Sequence, residues 1–179
     1  MSLAAGLVRL RVPLSYGVGL FALIRADPSV RSVGWGVAVA AIGEGLRLWT
    51  AGYLVKGGSR LTRSGPYAWT RNPLYLGSFL IGLGFSVAAA RWEVLALFLA
   101  LFLAVYLPVL REESRRLALE HPEAYAEFAR EVPLVLPRLR PRRGPSPCPF
   151  SWRRVFVNRE HLTLLGWALA VVLIWWKAR

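Results

Sequence analysis

Residues 65–77 read Gly65-Pro66-Tyr67-Ala68-Trp69-Thr70-Arg71-Asn72-Pro73-Leu74-Tyr75-Leu76-Gly77, and they lead straight into the apolar stretch SFLIGLGFSVAAA of residues 78–90. Gly-Pro at one end and Asn-Pro near the middle punctuate the backbone as turns. Between and after them stand a cation and several rings. A plain membrane anchor requires no such combination. The stretch joins a small polar site to a hydrophobic span, and the rest of the chain is read outward from it.

Composition sets the solvent. Of 179 residues 55% are hydrophobic and eight are Trp. Apolar runs fall at 12–24, 32–43, 48–55, 74–90, 94–110 and 162–176. The runs 74–90 and 94–110 each hold 17 residues without a charge, the lower limit for crossing a hydrocarbon layer of about 30 Å. Residues 32–55 read as one span interrupted only by Glu44 and Arg47. His161, Trp175, Trp176 and Lys177 give the last run interfacial ends. The first run is short for a span and borrows from the Leu7–Arg11 flank. A cleaved signal peptide competes there, but its apolar core begins late and no small-x-small site precedes Asp27-Pro28. The expected fold is an all-α integral membrane protein with about five transmembrane helices and cytoplasmic juxtamembrane helices.

The net charge of +13 invites a nucleic-acid reading, which its location argues against. Segments 56–73 and 111–160 hold fifteen of the 23 Lys and Arg, and a tight hairpin through Ala90-Arg91-Trp92-Glu93 returns both to one side. With Arg9 and Arg11 that face carries seventeen, against five on the other: Arg25, Arg31, Arg91, Lys177 and Arg179. The positive-inside bias makes the rich face cytoplasmic, with the polar site on it, and a prokaryotic inner membrane is the expected location. Basic residues there favour anionic lipid headgroups. The expected partners are membrane lipids and a lipophilic acceptor, with no nucleic acid.

Three units follow: a transmembrane core over 1–137, a basic Pro-rich connector over 138–160, extended along the surface, and a C-terminal transmembrane helix over 161–179. The lone Cys148 permits no intramolecular disulfide and lacks companion spacing for a metal, so no metal is expected. Gly34/Ala38, Ala41/Gly45 and Gly84/Ala88 have the helical spacing that suits close packing between helices.

Two polar features lie near or within the spans. Glu44 and Arg47 sit three apart, so they meet on one helix face. Either they neutralise each other, or Arg47 reaches an anionic group of a ligand. Arg111-Glu112-Glu113 closes the 94–110 run. Adjacent helical residues point about 100° apart, so one Glu can face a pocket while the other bonds locally or to water. A solvated juxtamembrane face is the plain alternative. Helix continues to Glu120, and Pro122 starts a new helix with Tyr125, Phe128 and Val132 on one stripe, against the membrane surface or capping the site. His121 reads as a helix-start residue.

GPYAWTRNPLYLG, followed by Glu112-Glu113, Leu117, Tyr125, Phe128, Val132-Pro133 and Pro137, resembles the isoprenylcysteine carboxyl methyltransferase and phospholipid methyltransferase superfamily over about residues 43–137. Leu46-Arg47-Leu48-Trp49 resembles that family's preceding helix. The resemblance implies a small helical membrane enzyme that uses S-adenosylmethionine, with S-adenosylhomocysteine as product and the cofactor at the cytoplasmic interface. By position it makes Gly65, Pro66, Tyr67, Arg71, Pro73, Tyr75, Gly77, Glu112 and Glu113 cofactor-site candidates. Asn72 stands where the family usually has His, and it neither titrates nor carries charge near neutrality. Phe128 fills the position of a Tyr.

The cofactor's groups explain the residue types. Glu112 or Glu113 can pair with its ammonium, and Arg71 or Arg47 with its carboxylate. Tyr67, Tyr75 or Trp69 can stack on adenine or face the sulfonium. An amine or hydroxyl acceptor wants a base, for which Glu113 is the nearest candidate; Arg71 and Glu113 are the expected catalytic residues. No Rossmann glycine fingerprint is present. Two other readings compete with methyl transfer to a lipid or lipophilic acceptor. One is a non-catalytic binding or scaffold protein, supported by Asn72, and the other is a steroid-reductase-type NADPH enzyme.

Overall fold

The computed structural model describes residues 3–55, 61–142 and 149–179, with side chains from residue 14 onward. Every regular element among them is helical: α1 (Leu3–Arg25), α2 (Val30–Ala51), a 3-10 turn (Gly65–Ala68), α3 (Pro73–Ala88), α4 (Trp92–Glu120), α5 (Pro122–Glu131), α6 (Trp152–Val157) and α7 (Glu160–Lys177). Local chemistry sets several boundaries. Ser29 caps α2 through a reciprocal pair with Ser32, each hydroxyl accepting the other residue's backbone N–H. Pro73 and Pro122 occupy first turns, where a missing N–H leaves no bond unmade. His121 lies at the junction of α4 and α5 as expected, without a side-chain capping bond.

One helix among the described residues, α4, is long and apolar enough to cross a membrane; α3 and the stretch Leu14–Arg25 are apolar but shorter. The expected span 32–55 ends early, at Ala51, where Gly52 closes the helix and lies against the Phe150 ring. The connector also differs from expectation. Its prolines end at Pro149, and the proline-free Trp152–Val157 then folds as α6 instead of remaining extended. Cys148 lies outside the described residues.

Helices α2 and α3 run antiparallel with their backbones in close approach. A Cβ placed on Gly36 would fall 2.4 Å from the Gly84 carbonyl oxygen, and one on Gly43 would fall 2.6 Å from that of Gly77. Ala40 and Ala88 complete this seam. Of the small-residue pairs singled out in the sequence, only Gly84/Ala88 belongs to it. A Cβ on Gly34 or Gly45 would meet nothing within 4 Å, and Ala38 and Ala41 lie off the seam. The packed register of α2 is offset from that reading, because Val33, Gly36, Ala40 and Gly43 form the buried stripe.

The two ends of the bundle differ in charge. At one, the α3–α4 hairpin turns through Ala90 in the left-handed region, φ 53°. There Arg25 pairs with Glu93, Arg91 pairs with Asp27, and Lys177 donates to the Leu23 and Ile24 carbonyls. Arg25, Arg91 and Lys177 all belong to the sparse basic set that the sequence assigns to one face. At the opposite end, Tyr125, Phe128 and Val132 form a buried cluster over Leu61, Tyr67 and Leu117, so the expected stripe caps the bundle's interior.

The segment after α5 is laced onto the Ala68–Asn72 turn. Arg71 N–H donates to the Pro133 carbonyl at 2.9 Å, and Arg138 and Arg142 N–H donate to the Trp69 and Ala68 carbonyls. The Thr70 hydroxyl reaches the Val135 carbonyl at 2.8 Å. Arg142 pairs with Glu127 and Glu131, and Arg63 with Glu127.

The α2–α3 seam makes a direct prediction. Gly36→Ala lowers the thermal unfolding midpoint of detergent-purified protein, reflecting a cost of about 1–3 kcal/mol from overpacking against backbone. Gly34→Ala, facing open space, leaves it unchanged or slightly raised. Equal behaviour of the two variants would contradict this packing face.

Candidate functional site

The 3-10 turn and the start of α3 shape the site. Gly65 has φ 59°, and a Cβ there would collide with the Tyr53 ring, so this turn needs glycine. Pro66 and Pro73 are buried and fix the backbone on either side. Tyr75, one turn into α3, donates its hydroxyl proton to Glu113 of α4 at 2.9 Å. Tyr67 lies beside them. Burial, together with the charge of Glu113, pushes its phenol above the ordinary value, so it stays a protonated donor.

The paired acids divide as their angular separation predicts. Glu113 faces the tyrosines, whereas Glu112 turns outward to Arg115 at 2.9 Å. The Arg115 hydrogen bond holds the Glu112 carboxyl below its usual range. Glu112 is therefore not brought to the other candidates. The Arg71 guanidinium donates to the Tyr125 hydroxyl at 2.8 Å and lies over that ring, and its buried Nε–H has no partner among the described residues. Asn72 spends its side-chain amide on the Leu134 carbonyl at 2.9 Å, fastening the laced segment. That is a structural task for an uncharged donor.

Arg47 makes its ion pair with an acid other than Glu44. It pairs with Glu160, the first residue of α7, through Nε and Nη2 at 2.9–3.1 Å. Nη1 donates to the Ser78 hydroxyl, and Gly77 makes room for the Arg47 stem. The pair is well shielded, with side-chain exposures of 17% and 7%. Glu44 is buried as well, but neither of its oxygens has a hydrogen-bond partner among the described residues.

Glu160 was missed in the sequence, and so was what positions it. Asn158 donates to the Ala51 and Leu54 carbonyls and so closes the end of α2. Arg159 then adopts φ 61°, turning the chain into α7 with Glu160 aimed at Arg47. The available signal was an acid placed immediately before the last apolar run, with an arginine inside an earlier one.

A cavity of about 720 Å³ opens beside this pair, bounded by α1, α3, α4 and α7. Its walls are mainly apolar, with Arg47, Ser78 and Tyr106 among the polar lining residues. Tyr106 contacts the Tyr75 ring at 5.8 Å and stacks on Phe102 at 4.4 Å, and its hydroxyl lies 3.3 Å from that of Ser15. Rings thus connect the Tyr75–Glu113 contact to the cavity wall.

The ion pair predicts a thermodynamic signature. Glu160→Leu leaves a buried guanidinium uncompensated and costs about 3–5 kcal/mol, whereas Arg47→Met combined with Glu160→Leu recovers most of it. Thermal unfolding of the two single variants and the double variant measures the coupling. Strict additivity would mean the two side chains do not interact.

Comparison with known proteins gives three findings. Residues 35–120 match the family model described as phospholipid methyltransferase, beginning earlier and ending earlier than the expected 43–137. The cobalt-zinc-cadmium resistance protein CzcN of Cupriavidus metallidurans is 39% identical over 112 residues, 62% of this chain and 50% of that one. The nickel-cobalt-cadmium resistance protein NccN of Alcaligenes xylosoxydans xylosoxydans is 37% identical over 108 residues, 58% and 47% of the two chains. The chain spans about half the length of these curated relatives. No solved structure matches it significantly. Residues 35–120, just under half of the chain, hold the Gly65–Gly77 turn and both Glu112 and Glu113, and their similarity to the phospholipid methyltransferase family is consistent with the superfamily that the motifs resemble.

Proposed function

We propose that this protein transfers a methyl group from S-adenosylmethionine to a lipid or lipophilic acceptor at a membrane interface. The observation that carries the reading is the Tyr75–Glu113 hydrogen bond with Tyr67 beside it. It joins the two motifs of the family resemblance at one place, next to an apolar cavity. The donor set suits the cofactor: Glu113 supplies negative charge and Tyr67 and Tyr75 supply rings for a cationic ligand, while the orphaned Nε–H of Arg71 is a donor for a carboxylate. When bound, the cofactor supplies an electrophilic methyl group. The chain's own part is to orient the acceptor and exclude water. Asn72, engaged with Leu134, serves the site through backbone placement and not through proton transfer.

In this reading α1, α2, α3, α4 and α7 cross a prokaryotic inner membrane, with the Gly65–Gly77 turn and α5 on the cytoplasmic side. The uneven basic charge supports that orientation.

Two measurements test these statements. S-adenosylhomocysteine binds the folded, detergent-purified protein with micromolar affinity, about −8 kcal/mol by calorimetry. Glu113→Gln weakens it about tenfold or more through loss of a charge-assisted hydrogen bond, while Glu112→Gln and the control Glu120→Gln change it little. Absence of binding across detergents and lipids sinks the methyltransferase reading. For topology, with Cys148 replaced, a cysteine substituted for Arg91 reacts with an impermeant reagent in intact cells and one substituted for Arg140 does not. The reverse pattern overturns the orientation.

A further inference from the structure

We infer that Glu160 sets the specificity of the cavity, making it a site for an uncharged lipophile with a single hydrogen-bonding head, such as a long-chain alcohol or phenol. The inference rests on the reading of the cavity as the acceptor's chamber. Arg47 is the only ionisable Lys, Arg, Asp or Glu among the cavity's described lining residues. A bare guanidinium facing an apolar chamber would select carboxylate or phosphate heads. Here Glu160 occupies it from the far side through Nε and Nη2, and Nη1 is taken by Ser78. An anionic head would therefore meet a cation already matched by one carboxylate, in surroundings of low dielectric where a second negative charge is poorly solvated.

What the chamber offers instead is neutral. Ser15 and Tyr106 carry hydroxyls 3.3 Å apart on a mainly apolar wall, to which Tyr16, Ser86 and Thr163 also contribute. A hydroxyl can both donate to and accept from such groups without a change in charge. Tyr106 in turn packs on Tyr75, so a head held among these hydroxyls lies on the side of the chamber that leads to the Tyr75–Glu113 contact. The selecting carboxylate belongs to α7, outside the residues 35–120 that match the family model.

The test uses the full chain in detergent and three probes with the same sixteen-carbon tail: hexadecanol, hexadecylsulfonate and hexadecyltrimethylammonium. Bound probe is counted by native mass spectrometry, and S-adenosylhomocysteine binding is measured on the same preparation. Hexadecanol is expected to bind at least fivefold tighter than either charged probe, and Ala170→Trp or Leu101→Trp, which fill the chamber from opposite walls, should abolish its binding. Glu160→Gln should raise hexadecylsulfonate binding about tenfold by freeing Arg47. The double variant Arg47→Met/Glu160→Leu, neutral again and better able to fold, should keep the preference for the alcohol. Tighter binding of the sulfonate to the parent protein overturns the inference, as does alcohol binding that survives both filling variants, or no binding of any probe. If S-adenosylhomocysteine binds while the alcohol preference fails, only the specificity falls; if it does not bind, the methyltransferase reading falls, whatever the probes do.

Discussion

The buried contact between Arg47 and Glu160 ties the molecule together across 113 positions of sequence. An arginine inside an apolar bundle is unfavourable unless its charge is matched and its five donors are used. Here a carboxylate from α7 matches the charge, and that carboxylate and a hydroxyl from α3 engage all three guanidinium nitrogens. Three helices are thereby fixed in rotation: α2 must present Arg47 inward, α3 must present Ser78, and α7 must begin where Glu160 can reach. The close α2–α3 seam depends on the same orientation, because Gly77 yields its space to the Arg47 side chain as well as to Gly43.

This constraint also explains the path of the chain into α7. Asn158 closes the end of α2 before the turn through Arg159, so the orphan carbonyls of one helix position the first residue of another. Glu44 stands near this arrangement as a second buried carboxylate, without a hydrogen-bond partner among the described residues. Two acids and one base thus share a small region of the bundle, and geometry decides which acid the base takes. An acid on the neighbouring helix reaches both nitrogens of the guanidinium edge, and the acid on the same helix does not.

Sequence patterns made the local parts of this fold legible. Apolar runs marked the helices, proline positions marked two starts, and the 100° step between Glu112 and Glu113 anticipated their division of roles. The stripe Tyr125, Phe128 and Val132 was legible for the same reason. What failed was choice among equivalents. Several small-residue pairs had helical spacing, and only contact with α3 selects Gly36 and Gly43 over Gly34 and Gly45. Arg47 had a local acid at a suitable spacing, yet its partner comes from the other end of the chain. The family resemblance pointed to the turn at 65–77 but not to the partners that its polar side chains take within the protein. Arg71 and Asn72 serve α5 and the segment beyond it.

That laced segment has a consequence for how the protein can vary. Its bonds to the turn are made chiefly by main-chain atoms: the carbonyls of Pro133, Leu134 and Val135 and the amides of Arg138 and Arg142. Leu136 and Leu139 project into the surroundings, the latter 97% exposed. Since every residue type carries the same carbonyl, and all but proline the same amide, the fastening imposes a shape on residues 133–142 while leaving much of their identity open. Descendants of this sequence can drift there in composition and still close the rim in the same way. Kinship would then fade from most letters of this stretch sooner than from its path, Pro133 and Pro137 being the positions that still carry the resemblance.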